Sequence, residues 1–214
     1  MPSRVPQNYK APAQQRSRDS LARVYEATNT LLKDRDFDQI TMAEISKLAN
    51  VAIGSIYQRF GSKSDLLWLM YATYLEEATA RFSDLMQAER SARAADRVET
   101  LITIVCDLFE AHRGVIKSLL VRYRQSPDSV PEALSGQIEA AFENGVVFLL
   151  GPHPSEDETR RARFAVSIIL AVVREQILYR GTRFEASSAD PHAELAQALR
   201  PAILATLAHP ERDA

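Results

Sequence analysis

Between Thr41 and Lys63 the chain places side chains that bind phosphate and read base edges at a spacing one short helix can present together. Tyr57 offers a hydroxyl to a phosphate oxygen, and Gln58 offers an amide that pairs bidentately with adenine N6 and N7. Arg59 and Lys63 supply positive charge. Just before them Ala52, Gly54 and Ser55 are small, so a backbone carrying them can approach phosphates and base edges closely. Ile56 and Phe60 fall on the opposite side of such a helix, where they would hold it against a core. The same spacing also fits a surface helix that touches no nucleic acid, so these residues alone leave both readings open.

The flanking sequence shows what would position them. From Ser17 to Lys33 the positions Leu21, Val24, Tyr25, Thr28, Leu31 and Leu32 recur every three and four residues, the mark of an amphipathic helix. Asp34 to Gln39 is charged and holds no helix start. Thr41-Met-Ala-Glu44 is a capping box that opens a second helix. That helix is short, because Asn50 tolerates the left-handed conformation of a tight turn. A third helix then runs from about Ile53 to Arg59 and ends at Gly61. Ser62 caps a long fourth helix from Lys63, with Asp65 in its first turn. Two short helices joined by a tight turn and framed by longer ones make a helix-turn-helix.

Beyond it the pattern is helical throughout: about 94–112, 115–124, 131–150, 156–180 and 191–208, with breaks at Gly114, Ser126-Pro127, Gly151-Pro152 and Gly181. No hairpin signal separates paired β-branched runs. The expected fold is all-α with about nine helices. It divides into a tail over 1–14, with three of the ten prolines, a helix-turn-helix domain over 15–64 and a larger helical domain over 65–214.

Composition agrees with a water-soluble globular chain of 214 residues, 46% hydrophobic and 25% charged. No apolar run is long enough for a membrane span and the N-terminus lacks an apolar signal core, which points to the cytoplasm. The lone Cys106 excludes an internal disulfide and sits at core spacing. The net charge of -2 conceals a split: up to Asp65 there are 10 Lys+Arg against 7 Asp+Glu, and after it 16 against 21, giving +3 and -5. Only the first part would be drawn to a phosphate backbone. His112, His153, His192 and His209 form no metal-binding spacing, and no phosphate loop or nucleophile elbow occurs. No catalytic residue, metal or cofactor is expected.

The string FDQITMAEISKLANVAIGSIYQRFGSKSDLL, Phe37 to Leu67, resembles the N-terminal signature of the TetR family of transcriptional regulators. Phe37, Ile40, Thr41, Ile45, Ala49, Val51, Gly54, Ser55, Ile56, Tyr57, Phe60, Ser62, Lys63 and Leu66 carry the match. Asn50 replaces the family's usual Gly. Ser46 and Ala52 exchange the usual Ala and Ser, which removes a hydroxyl from the start of the third helix. The resemblance implies phosphate contacts from Thr41, Tyr57 and Lys63 and groove contacts from Ile53, Gly54, Ser55 and Gln58. Arg59 also faces DNA in some members, while position 52 loses a cap and one phosphate contact. Arg16 and Arg18 stand where a tail could reach a minor groove.

The resemblance further implies a cytoplasmic homodimer on a pseudo-palindromic operator of double-stranded DNA, acting as a repressor released by a small-molecule effector. The last two helices would form the dimer interface through Phe164, Ile168, Ala171, Val172, Glu175 and Leu178, and through Leu195, Leu199, Ala202, Ile203 and Leu207. A packing stripe within one protomer has the same periodicity. Candidate effector-lining residues are Tyr71, Tyr74, Phe109, His112, Arg122, Tyr123, Phe142, Phe148 and Tyr179. Two rival readings are a regulator or activator independent of any ligand, and a protein-interaction module that keeps the helix-turn-helix without binding DNA.

Overall fold

A computed structural model describes residues 15–88, 93–125, 131–150, 153–179 and 191–208. Within them the chain is all-α: α1 Gln15–Leu32, a 3-10 turn at Phe37–Gln39, α2 Met42–Ala49, α3 Ile53–Phe60, α4 Lys63–Ala88, α5 Ala94–Ala111, α6 Arg113–Gln125, α7 Glu132–Leu149, α8 Glu156–Tyr179 and α9 Pro191–Leu207. The expected tail, Arg16's side chain and the expected breaks at 126–127, 151–152 and 181 lie outside the described residues.

Two expectations change. The charged stretch after α1 contains the 3-10 turn, whose Phe37 is buried. Gly114 does not break a helix; it lies inside α6, and the interruption falls at His112. A Cβ built on Gly114 would stand 2.4 Å from the Cβ of Leu32. The glycine therefore serves the close approach of α6 to α1, a requirement that local sequence does not display.

The fold comprises two compact units. The first joins the described residues up to Leu75 with those of His112–Gln137, so it takes in the start of α4 and all of α6 beside the helix-turn-helix. Its core gathers Val24, Ala27, Phe37, Ile40, Ile45, Ile56, Phe60, Leu66, Leu67, Val115 and Leu119. Buried Thr28 satisfies its hydroxyl on the Val24 carbonyl at 2.7 Å, as a buried polar group must.

The second unit packs α5, α8 and α9 together. Leu101, Ile102 and Val105 of α5 meet a buried stripe on α8 formed by Ala162, Ala165, Val166, Ile169 and Val173. Leu199 and Ile203 of α9 are also buried within this unit. Cys106 is core as expected, and burial, reinforced by Asp107, pushes its thiol up to about 11. No described helix is long and apolar enough to cross a membrane.

Candidate nucleic-acid interface

The capping box at Thr41 forms in both directions. Glu44 N donates to Thr41 Oγ1 at 3.2 Å, and Thr41 N donates to Glu44 Oε2 at 2.7 Å. The Thr41 hydroxyl donates to the same carboxylate at 2.8 Å, so its one proton is engaged inside the chain. Arg35 reaches Glu44 from the loop before α2 at 2.7 Å. Arg35's hydrogen bond, then those of Thr41, hold the Glu44 carboxyl down at about 2.

The turn between α2 and α3 rests on two residues. Asn50 adopts φ 50° and ψ 48°, the left-handed geometry that ends α2. Ser46 donates its hydroxyl to the Val51 carbonyl at 2.7 Å. The exchange of Ser46 and Ala52 thus moves a hydroxyl from the start of α3 to the brace of the turn. Arg23 of α1 adds a hydrogen bond to the Ala49 carbonyl at 3.1 Å. Ala52 is the N-cap of α3 and gives it no side-chain cap.

Ile56 and Phe60 are both 1% exposed and anchor α3. Burial of side chains this size contributes roughly 1.5–3 kcal/mol each. Tyr25 of α1 packs on Phe60 with centroids 6.3 Å apart. Gly61, at φ 78°, closes the helix. Ser62 caps α4: its Oγ accepts from Asp65 N at 3.1 Å and donates to Asp65 Oδ2 at 2.7 Å.

The outward face of α3 therefore consists of Ala52, Ile53, Gly54, Ser55, Tyr57 and Gln58, all exposed. Ile53 and Tyr57 keep 42% and 47% of their surface open. A Cβ on Gly54 would meet nothing within 4 Å, so the chain's own packing does not require glycine there. Thr41 is exposed and Arg59 half-buried. Lys63 is half-buried, its Nζ standing 4.6 Å from the Phe37 ring centroid. Burial lowers its pKa, with Asp38 opposing and Arg122 adding to the fall.

Sequence reasoning missed the platform role of Phe37 and the bracing roles of Arg23, Arg35 and Ser46. Phe37 lies 26 positions before Lys63, too far for any helical periodicity to pair them.

The expected effector residues separate. Tyr71, Tyr74 and His112 belong to the first unit, where Tyr71 stacks on Tyr74 at 5.4 Å and Tyr74 meets His112 edge-on at 5.3 Å. Burial pushes Tyr71 up to about 12 and raises Tyr74 as well. Arg122, also in that unit, donates to Ser64 Oγ at 2.7 Å. Phe109, Phe142 and Phe148 belong to the second unit; Phe148 packs on Phe82 at 6.4 Å and Phe142 carries Arg163 above its ring at 5.4 Å. The side chains of Tyr123, Leu178 and Tyr179 lie outside the described ones.

Of the expected dimer residues, Phe164 is 62% exposed. Ile168, Ala171, Val172, Glu175, Leu195 and Leu207 are half-buried and Ala202 is exposed. Leu199 and Ile203 are buried in the core of the second unit, whereas Phe164 of α8 stays exposed.

Residues 24–68 match the family model described as bacterial regulatory proteins, tetR family. No curated protein matches the chain. Among solved structures, a putative TetR-family transcriptional regulator from Mesorhizobium loti superposes with a TM-score of 0.66 at 14% identity, covering 91% of this chain and 98% of that one. A TetR-family transcriptional regulator from Streptomyces coelicolor gives 0.66 at 17%, over 88% and 80% of the two chains. The transcriptional regulator FadR from Bacillus subtilis, in complex with stearoyl-CoA, gives 0.65 at 14%, over 88% and 99%. At such identities the likeness is one of fold.

Proposed function

We propose that this chain is a DNA-binding regulator of the TetR family, as its residues 24–68 and its fold support, and that a homodimer sets two copies of α3 in successive major grooves of a pseudo-palindromic operator. The observation that carries this is the outward face of α3, small at Gly54 and Ser55, with Tyr57 and Gln58 beside them and Ile56 and Phe60 fixing it from behind. Tyr57 and Lys63 grip phosphates, Gln58 reads a base edge, and Ile53, Gly54 and Ser55 make the close groove contacts. The Thr41 hydroxyl must exchange its bond to Glu44 before it can donate to phosphate, so its first role is the cap. The α3 backbone amides, with no side-chain cap from Ala52, remain for a phosphate.

The homodimer is supported by the two faces of α8. One is buried in the protomer, while the other presents Phe164, Ile168, Ala171 and Val172; a second copy covering that face gives the twofold that a palindrome requires. Repression and its release by a small molecule complete the reading. The like-folded FadR that holds stearoyl-CoA supports a ligand-responsive role for the C-terminal helices, with release by population shift.

Selection from random duplex DNA should enrich a pseudo-palindrome, with affinity falling steeply as salt rises. Tyr57→Ala should weaken binding on every sequence, whereas Gln58→Ala should relax preference at particular base pairs. A chain that shifts no genomic fragment at low salt would overturn this and favour the protein-interaction module.

A further inference from the structure

The first turn of α3 differs from the turns behind it. Ile53 and Phe60 stand about two helical turns apart and so leave the helix on nearly the same side. Phe60 is nevertheless 1% exposed and Ile53 42%. The start of α3 runs out past the core that holds its end, and carries an isoleucine into the open.

The neighbours make that isoleucine the one reaching group of the turn. Ala52 and Gly54 on either side are exposed and small, and a Cβ on Gly54 would meet nothing within 4 Å. Ala52, Ile53 and Gly54 are consecutive positions with no side-chain donor or acceptor. The outward residues that follow them, Ser55, Tyr57 and Gln58, all carry one.

A lone exposed isoleucine is ordinary on a protein surface; its place on this helix is what gives it a use. In a helix-turn-helix the N-terminal residues of the second helix meet base edges. Those edges present donors, acceptors and one apolar group in the major groove, the C5 methyl of thymine. An isoleucine has nothing to exchange with a donor or acceptor, and covering one would strip it of water without replacement. The methyl alone gains from the cover.

Building on the DNA-binding reading of this face, we infer that Ile53 is a specificity-determining residue that packs on the C5 methyl of a thymine in each half-site of the operator. The start of α3 then selects its base by apolar contact, and Gln58, further along the helix, selects by hydrogen bonds.

The test begins with selection from random duplex DNA by the full chain. Each thymine of the enriched half-sites is then replaced in turn by deoxyuridine, which deletes the methyl and keeps the base pair and the O4 acceptor. At the thymine under Ile53 affinity should fall roughly threefold to fivefold per half-site, as expected for one buried methyl group. Ile53→Ala should bind the thymine and uracil forms of that position alike and keep any uracil cost at other positions. Ile53→Val, one methylene shorter, should show a smaller cost than the parent. A residue that merely shapes α3 would weaken both forms equally and leave their ratio unchanged, and thermal melts establish that each variant folds. Selection that enriches no operator overturns the DNA-binding reading and this inference with it. An enriched operator whose half-sites hold no thymine, or in which uracil costs nothing at any thymine, overturns this inference and leaves that reading standing. So does a uracil cost undiminished at every thymine in folded Ile53→Ala, or in Ile53→Val where the alanine variant does not fold.

Discussion

The outward face of α3 and the inward face of α6 lie in the same compact unit, and each carries a glycine. At Gly114 a methyl group would collide with Leu32, 2.4 Å away; at Gly54 it would meet nothing within 4 Å. One glycine serves the close packing of the fold, whereas the packing does not require the other, to which the proposed function gives a contact outside the chain. The surroundings agree with that division. Gly114 is followed by Val115 and Leu119, both buried, whereas Gly54 lies between Ile53 and Ser55, both exposed. An α-helix thus displays its purpose by what a Cβ would touch, which composition alone cannot convey.

The sharpest way to break this comparison is Gly114→Ala. The gain in helix propensity is under about 1 kcal/mol, while forcing a methyl against the Leu32 Cβ costs typically about 1–3 kcal/mol through displaced side chains and backbone. Chemical denaturation should show a lower midpoint for Gly114→Ala; because the Cβ that is struck remains in an alanine at position 32, Leu32→Ala in the same chain should lower it further. An unchanged midpoint would mean that α6 can move off α1 at little cost.

Lys63→Ala tests the binding side of the comparison. Removing one charge-assisted phosphate contact should weaken operator binding by about tenfold on all sequences and reduce the slope of log affinity against log salt by about one. Stability should fall only modestly, by about 0.5–1 kcal/mol, through loss of the half-buried ammonium from the Phe37 ring. A change of base preference instead would move Lys63 from backbone grip to readout.

Much of this was legible in sequence, and the rest was not, for physical reasons. Caps and turns are local, so Thr41, Asn50, Gly61 and Ser62 could be read directly, and all four end or begin helices in the structure. Helix periods are local too, and the inward placing of Ile56 and Phe60 followed from them. Partners are not local. Periodicity marked Leu199 and Ile203 as apolar without saying that the chain itself buries them, and it read Gly114 as a break because Leu32 lies 82 residues away. Phe37 under Lys63 and Arg122 on Ser64 were hidden for the same reason.

Gly54→Ala is the complement of the first substitution, with a smaller and opposite effect on folding. With open space around the new methyl, the loss of backbone freedom in the unfolded chain should raise stability by up to about 0.5–1 kcal/mol. In the proposed function the same methyl stands where α3 approaches DNA, so operator affinity should fall. A variant that is more stable and binds worse separates the two roles in one residue; one that loses stability would return Gly54 to the fold.

The smallest expected effect belongs to the Arg35–Glu44 pair, which braces the start of α2 independently of α6. Glu44 is held at about 2 against an ordinary 4.5, chiefly by Arg35 and then by Thr41. A carboxyl whose pKa is lower in the folded state stabilises fully above its unfolded pKa and ceases to do so as pH falls through the folded value. Its contribution is therefore complete at neutral pH and lost between about 4.5 and 2. Glu44→Gln should lower the melting temperature slightly at pH 7 and converge with the parent by pH 2, because the group is half-exposed and solvent screens it. Circular dichroism melts across that range measure the difference. A gap that persists at pH 2 would show that the amide fails to replace the cap rather than the charge, and would transfer the stabilisation from Arg35 to the Thr41 box.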